Sequence, residues 1–246
     1  MFTSKNAITR IEVAAIIVLA VIATVGGTYY LSTTLPTLNL PALGSIPTSI
    51  PKYNLSDAIT AGYIEANITG YSGIDAIFGA SSGDCIILNI KRLVNFTIEI
   101  EPITTGTLLM TSGDAQNMAV LNLRGLNTAG YHHPRDSIIL DTPKPVQYLF
   151  SGYCVTFDKQ NPTSATLFNQ SGMADANVLK IYSILDQLPA NVTSIAAIQT
   201  AVFVVTDDVS LSDLQNKFPT GAAEIGNARA ILEKAGIDIS NASLFT

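Results

Sequence analysis

Residues Val13 to Leu31 read VAAIIVLAVIATVGGTYYL, an uncharged stretch with Lys5 and Arg10 before it and a Pro/Thr/Ser-rich segment directly after it. A helix of this length rises about 28 Å, close to the ~30 Å hydrocarbon core of a bilayer, so the run is expected to be a transmembrane helix. Its basic residues lie on the N-terminal side, which by the positive-inside tendency leaves the N-terminus in the cytoplasm and the rest of the chain outside. A cleaved secretory peptide is the competing reading, because Ala20, Ala23, Gly26 and Gly27 offer small residues to a signal peptidase. The run exceeds the usual signal core of about 7 to 15 residues, which favours a retained anchor. On either reading the remainder is extracytoplasmic, at the cell membrane, with the lipid bilayer as its first partner.

That remainder has the make-up of a folded exterior domain. The 13% charged residues and net charge of −6 argue against nucleic acid as a partner. The two cysteines, Cys85 and Cys154, both follow the apolar run. An even pair in an oxidising compartment is a candidate disulfide, closing a loop of about 70 residues; two buried thiols that never meet are the alternative. Six Asn-x-Ser/Thr sequons stand at Asn54, Asn67, Asn95, Asn169, Asn191 and Asn241, while Asn161 is excluded by Pro162. With 16 asparagines in the chain, and Ser and Thr about a fifth of it, chance gives about three. All six follow the apolar run, so the combination reads as a glycosylated surface protein of an archaeal or eukaryotic host.

Four regions follow from the patterning. Residues 1–31 are the cytoplasmic tip and membrane helix. Residues 32–53 carry Pro36, Pro41, Pro47 and Pro51 and no acidic residue, which favours an extended, polyproline-like stalk. Leu35, Leu38, Leu40, Leu43 and Ile46 within it also suit a strand added to the edge of a neighbouring subunit. Residues 54–162 form the next region, with period two from Tyr63 to Phe157: IEANITGY, CIILNIKRL, NFTIEIEPI, GTLLMTS, MAVLNLRGL, SIILDT and VQYLFSGYCVTF make seven candidate strands. Seven short antiparallel strands at this spacing predict an Ig-like or cupredoxin-like β-sandwich. Beyond Pro162 the period becomes helical over 176–188, 194–205, 210–218 and 222–235, with Thr193 or Ser194, and Ser210, as caps and Gly236 as a stop. Residues 163–246 are therefore expected as a small helical unit, and the class as α+β.

Two segments carry resemblances. Lys5-Asn6-Ala7 followed by Ile8-Thr9-Arg10-Ile11-Glu12 and the apolar run resembles the processing region of type IV pilins and archaeal pilin-like proteins. In that family cleavage falls just before the hydrophobic segment, and a Glu at the fifth mature position pairs with the terminal amine of a neighbouring subunit. The resemblance implies cleavage after Ala7 and assigns that role to Glu12, which otherwise reads as an interfacial carboxylate. Pilin helices usually run on into the globular head, whereas here Pro36 follows soon after the run. The stretches SSGDCIILNI, FTIEIEPITTGTLLMTSGDAQNMAV and YCVTFDKQNP, with AIQTAVFVVTDDVSLSDLQ and NARAILEKAGID, resemble a β-sandwich plus helical module of secreted prokaryotic proteins. That likeness implies a fold and an exterior location but no reaction.

Chemistry-bearing residues are sparse. His132 and His133 are the only histidines, adjacent in the loop-like GYHHPRD, and neighbouring side chains in an extended chain point apart. A blue-copper centre needs two His, a Cys and a weak Met, with the later ligands close after the Cys. Met110 and Met118 are at hand, but no histidine follows Cys154. A Ser-His-Asp arrangement drawn through Asp136 or Asp141 lacks any supporting motif. Asp207 and Asp208 suit calcium or the solvated end of a helix. Glu99 and Glu101 share a strand face about 7 Å apart, as in glycoside chemistry, but the chain has no Trp to build a sugar cleft. The expectation is no enzyme, no cofactor and no metal. The function expected is a membrane-anchored surface protein with a structural or interaction role, meeting protein partners at the cell surface or further copies of itself. A pilin-like filament subunit is the alternative, and a cupredoxin-like or enzymatic ectodomain the less favoured one.

Overall fold

Residues alternating between β-branched or aromatic and polar types suit strands with one face buried. In the computed structural model, seven of the ten strands found among the described residues coincide with the alternating segments. The structure describes residues 49–71, 82–128, 131–218 and 220–246, all inside the compact unit Pro47–Thr246. The first elements are β1 (Lys52–Tyr53), α1 (Leu55–Thr60), β2 (Ile64–Gly70), β3 (Ser82–Arg92), β4 (Ile98–Ile100) and β5 (Thr107–Met110). Then come β6 (Met118–Thr128), β7 (Tyr131–His133), β8 (Ile138–Leu140), β9 (Val146–Cys154) and β10 (Leu167–Met173). The helices α2 (Ala176–Ile184), α3 (Ile195–Asp207), α4 (Leu211–Lys217) and α5 (Ala222–Lys234) complete the chain.

The strands do not form the expected Ig-like or cupredoxin-like sandwich. Six of them run antiparallel in the order β5-β10-β2-β3-β9-β6, and β6 pairs back onto β5 through Leu108↔Ala119 and Leu109↔Met118, closing a barrel. A sandwich and a barrel bury the same alternate residues, so period two does not distinguish them. What decides is β10, which inserts between β5 and β2 from the stretch expected to be helical. Its sequence LFNQSGM buries only Phe168 and so shows no alternation. β7 extends β6 past the barrel, while β1, β4 and β8 form a separate small sheet with β1 parallel to β4. The end of the expected stalk therefore adds a strand to a sheet of its own chain. The expected transmembrane helix likewise finds no support. Among the described residues no helix is long and apolar enough to cross a membrane, and Val13–Leu31, Ala7, Glu12 and most of the stalk lie outside them.

Barrel and helices share one core. Inside the barrel Ile86, Leu88 and Ile90 of β3 stand across from Phe150, Tyr148 and Val146 of β9. α3 is buried on every side from Ala196 to Val204, which is why its sequence is apolar all round rather than striped. It packs on β3 and β9 and against α2 and α5, and Phe203 stacks edge-on between Phe157 and Phe218. Ser194 starts α3 by accepting from the Ala197 N–H, and Ser210 with Asp213 forms the capping box of α4. Asp208 ends α3 in the left-handed region (φ 47°). Its carboxylate accepts from the backbone N–H and the hydroxyl of Ser243, both at 2.9 Å, tying the C-terminal tail to the helix end. β6 bends at Gly125 (φ 136°), where a Cβ would run into the His133 carbonyl of β7.

Candidate functional site

Cys85 lies on β3 and Cys154 ends β9, its neighbour. The register sets Gly83 opposite Gly152 and Ser82 opposite Tyr153, so Cys154 stands one step beyond Ser82 and Cys85 three steps back. That offset is roughly 10–13 Å along the strand, too far for a bridge. The candidate disulfide is thus corrected to two free, buried thiols. The Cys85 thiol donates to the Gly152 carbonyl at 3.5 Å and the Cys154 thiol to the Met118 sulfur at 3.1 Å. Burial pushes both thiols well above the ordinary range, with the Asp84 charge adding to the rise at Cys85. Neither is a thiolate near neutral pH, so neither is set up as a nucleophile or a metal ligand.

The remaining chemistry-bearing residues stay apart. His133 is exposed on β7, and the ladder sets His132 opposite Asn127 and His133 opposite Leu126. Met118 is fully buried against Cys154, whereas Met110 is on β5 and largely exposed. Glu99 pairs with Lys52 at 3.4 Å. Asp208 is engaged by Ser243, and Asp207 accepts from the Thr206 hydroxyl at 2.6 Å, so the two carboxylates close a helix rather than frame an ion. Among the described residues no three of His, Cys, Asp or Glu stand close enough together to hold a metal. A cleft of about 450 Å³ is lined by Arg135, Ser137, Asp141 and Tyr148, but Tyr148 gives its hydroxyl to the Ile139 carbonyl at 3.2 Å. Burial raises its pKa. No base stands beside a nucleophile there.

The sequon asparagines behave as a set. Asn54 caps α1, its Oδ1 accepting from the Asp57 N–H at 2.8 Å and its Nδ2 donating to the Asp57 carboxylate at 2.6 Å. Asn67 lies on β2 and Asn169 on β10, Asn95 links β3 to β4, Asn191 precedes α3, and Asn241 is in the C-terminal tail. All six are exposed, whereas of the eight other described asparagines only Asn122, Asn161 and Asn216 are.

No family model matches the chain, and neither a curated protein nor a solved structure resembles it. The pilin and secreted-module resemblances therefore rest on the quoted residues alone. Sequence reasoning missed Gln199, a fully buried amide on α3. Its Nε2 donates to the Cys154 carbonyl at 2.8 Å and its Oε1 accepts from the Cys154 N–H at 3.0 Å, acting as a substitute strand at the end of β9. A Gln within a largely apolar helix was the available signal, since a buried amide requires partners. The outer face of the barrel also carries an Asp84–Arg124 ion pair at 3.1 Å and a Ser151 to Asn122 hydrogen bond. These sit on three neighbouring strands whose register the sequence does not reveal.

Proposed function

We propose that this is a membrane-anchored, extracytoplasmic, N-glycosylated surface protein whose barrel-and-helix domain serves structure or interaction in the cell envelope. The observation that carries the reading is the exposure of all six sequon asparagines, set against the mixed burial of the others. Sequons arising by chance carry no reason to avoid the half-buried positions that Asn89, Asn117, Asn127, Asn177 and Asn227 occupy. The uncharged run Val13–Leu31, behind Lys5 and Arg10, supports the anchoring. Among the described residues the titratable groups stand apart, which lends a reaction no support.

The test is intact-mass and peptide analysis of the protein taken from its native membranes. The expected result is a chain that keeps residues 13–31 and carries glycan on several of the six asparagines. Bare asparagines throughout, or a chain lacking the apolar run, overturns it. The same N-terminal peptide tests the filament alternative, for which the Ala7 and Glu12 pattern speaks. A mature chain beginning at Ile8, with no longer form, moves the pilin-like reading to the front.

A further inference from the structure

Four amide side chains form one line across the outside of the barrel. Asn67 on β2 stands opposite Asn89 on β3, Asn89 opposite Gln147 on β9, and Gln147 opposite Asn127 on β6. Asn127 Nδ2 donates to Gln147 Oε1 at 3.1 Å, and Gln147 Nε2 to Asn89 Oδ1 at 2.8 Å. Asn89 Nδ2 donates to Asn67 Oδ1 at 2.8 Å and to Thr69 Oγ1 at 3.4 Å. Every donation runs the same way, toward β2. Asn67 is therefore held through its oxygen, and its Nδ2, the atom that a glycan joins, is left free at the end of the row. Asn89 grips both the asparagine and the threonine of the sequon Asn67-Ile68-Thr69.

The row also has capacity to bind. An amide carries two N–H groups and two carbonyl lone pairs. Within the row Asn127 and Gln147 each use one N–H, and the carbonyls of Gln147 and Asn89 each accept one bond. Asn127 and Gln147 each keep an N–H and carbonyl capacity, while Asn89, with both N–H groups used, keeps a carbonyl lone pair; the row is spaced by about 4.8 Å per strand over about 14 Å. Sugar hydroxyls, which both donate and accept, match such a surface. The row borders a cleft of about 350 Å³, lined by Asn89, Asn127 and Gln147 with Leu126, Pro145 and Val146. On the other side Asn67 itself lines a cleft with apolar Leu55, Ile59, Ile68, Leu88 and Phe168 and with polar Ser56, Asn169 and Gln170, a mixed surface without the continuous amide row.

We propose that the amide row is a binding track for the neutral sugar chain attached to Asn67, whose first residues lie back across β3 and β9 into the Pro145 cleft. This rests on the reading of Asn67 as a glycosylated sequon. The glycan is thereby part of the folded surface, whereas sugars on Asn95, Asn191 and Asn241 extend from loops.

The glycoprotein from its native membranes is treated with dilute periodate, which cleaves free vicinal diols, and sugar oxidation is followed at each site by peptide mass spectrometry. The expected result is oxidation at Asn67 about five-fold slower than at Asn95, Asn191 and Asn241, the protection one net hydrogen bond supplies, with equal rates once the protein is unfolded. Gln147→Ala, and separately Asn127→Ala at the β6 end of the row, made in the native host, are expected to abolish the lag without changing occupancy at Asn67. Equal rates in the folded parent overturn the proposal, as does a lag that survives both substitutions. Asn67 bare while other sequons carry sugar overturns the track and leaves the glycoprotein reading standing. Sugar on none of the six overturns both.

Discussion

Burial keeps Cys85 and Cys154 protonated in the fold, so alkaline pH acts first on the unfolded chain. An unfolded thiol ionises near pH ~8.5, and above that point the unfolded state binds fewer protons than the folded one. Stability is complete below this pH and falls by about 1.4 kcal/mol per pH unit for each thiol until the raised folded value is reached. Urea unfolding at pH 7 and pH 10 is expected to differ by about 4 kcal/mol from the two thiols, with buried Tyr153 and Tyr182 adding to the loss above that. A thiol reagent is expected to modify neither cysteine in the native protein and both after denaturation, read as mass increments; a resistant disulfide in the unfolded, unreduced chain refutes the register argument. Gln199→Leu leaves the Cys154 N–H and carbonyl without their partner, and is expected to cost about 3 kcal/mol, measured as a fall in Tm. At this scale the sequence was legible in part. Caps such as Ser194 and Ser210 announce themselves by type and spacing, whereas the fate of a cysteine or of Asn89 depends on strand register, which links residues far apart in the chain.

Strand β10 shows how an element escapes detection. Leu167–Met173 has no apolar alternation because its backbone, more than its side chains, does the joining: Phe168 alone is buried, and Leu167 is 59% exposed. The alternating strands and the four later helices were readable from period alone, since amphipathic or uniformly apolar segments of their lengths have few other ways to hide their faces. Closure was not readable, because pairing of β5 with both β10 and β6 is a property of the whole sheet. Phe168→Ala is expected to cost about 3 to 5 kcal/mol and Leu167→Ala less than about 0.5 kcal/mol, compared by thermal unfolding. Comparable losses at the two positions would mean that β10 does not seal the barrel through its one inward residue.

Across the whole molecule, strands and helices depend on each other. α3 packs on β3 and β9, Lys217 of α4 donates to the Phe157 carbonyl and, at 2.8 Å, to the Lys159 carbonyl, and the core continues from one part into the other. A chain ended after Pro162 lacks β10 and all of these helices, and is expected to show no cooperative thermal transition; a two-state unfolding curve for it would establish the strands as a domain in their own right. Closure also sets an order in time. Ile68 and its partner Phe168 are 100 residues apart, a distance that takes a ribosome about 5–20 s to cover. During that interval the nascent chain holds β2 and β3 but not the strand that seals them. Asn54, Asn67 and Asn95 thus emerge while the chain is still open, whereas Asn169 emerges only as part of the sealing strand. The first three therefore have a longer window for modification before folding than the fourth.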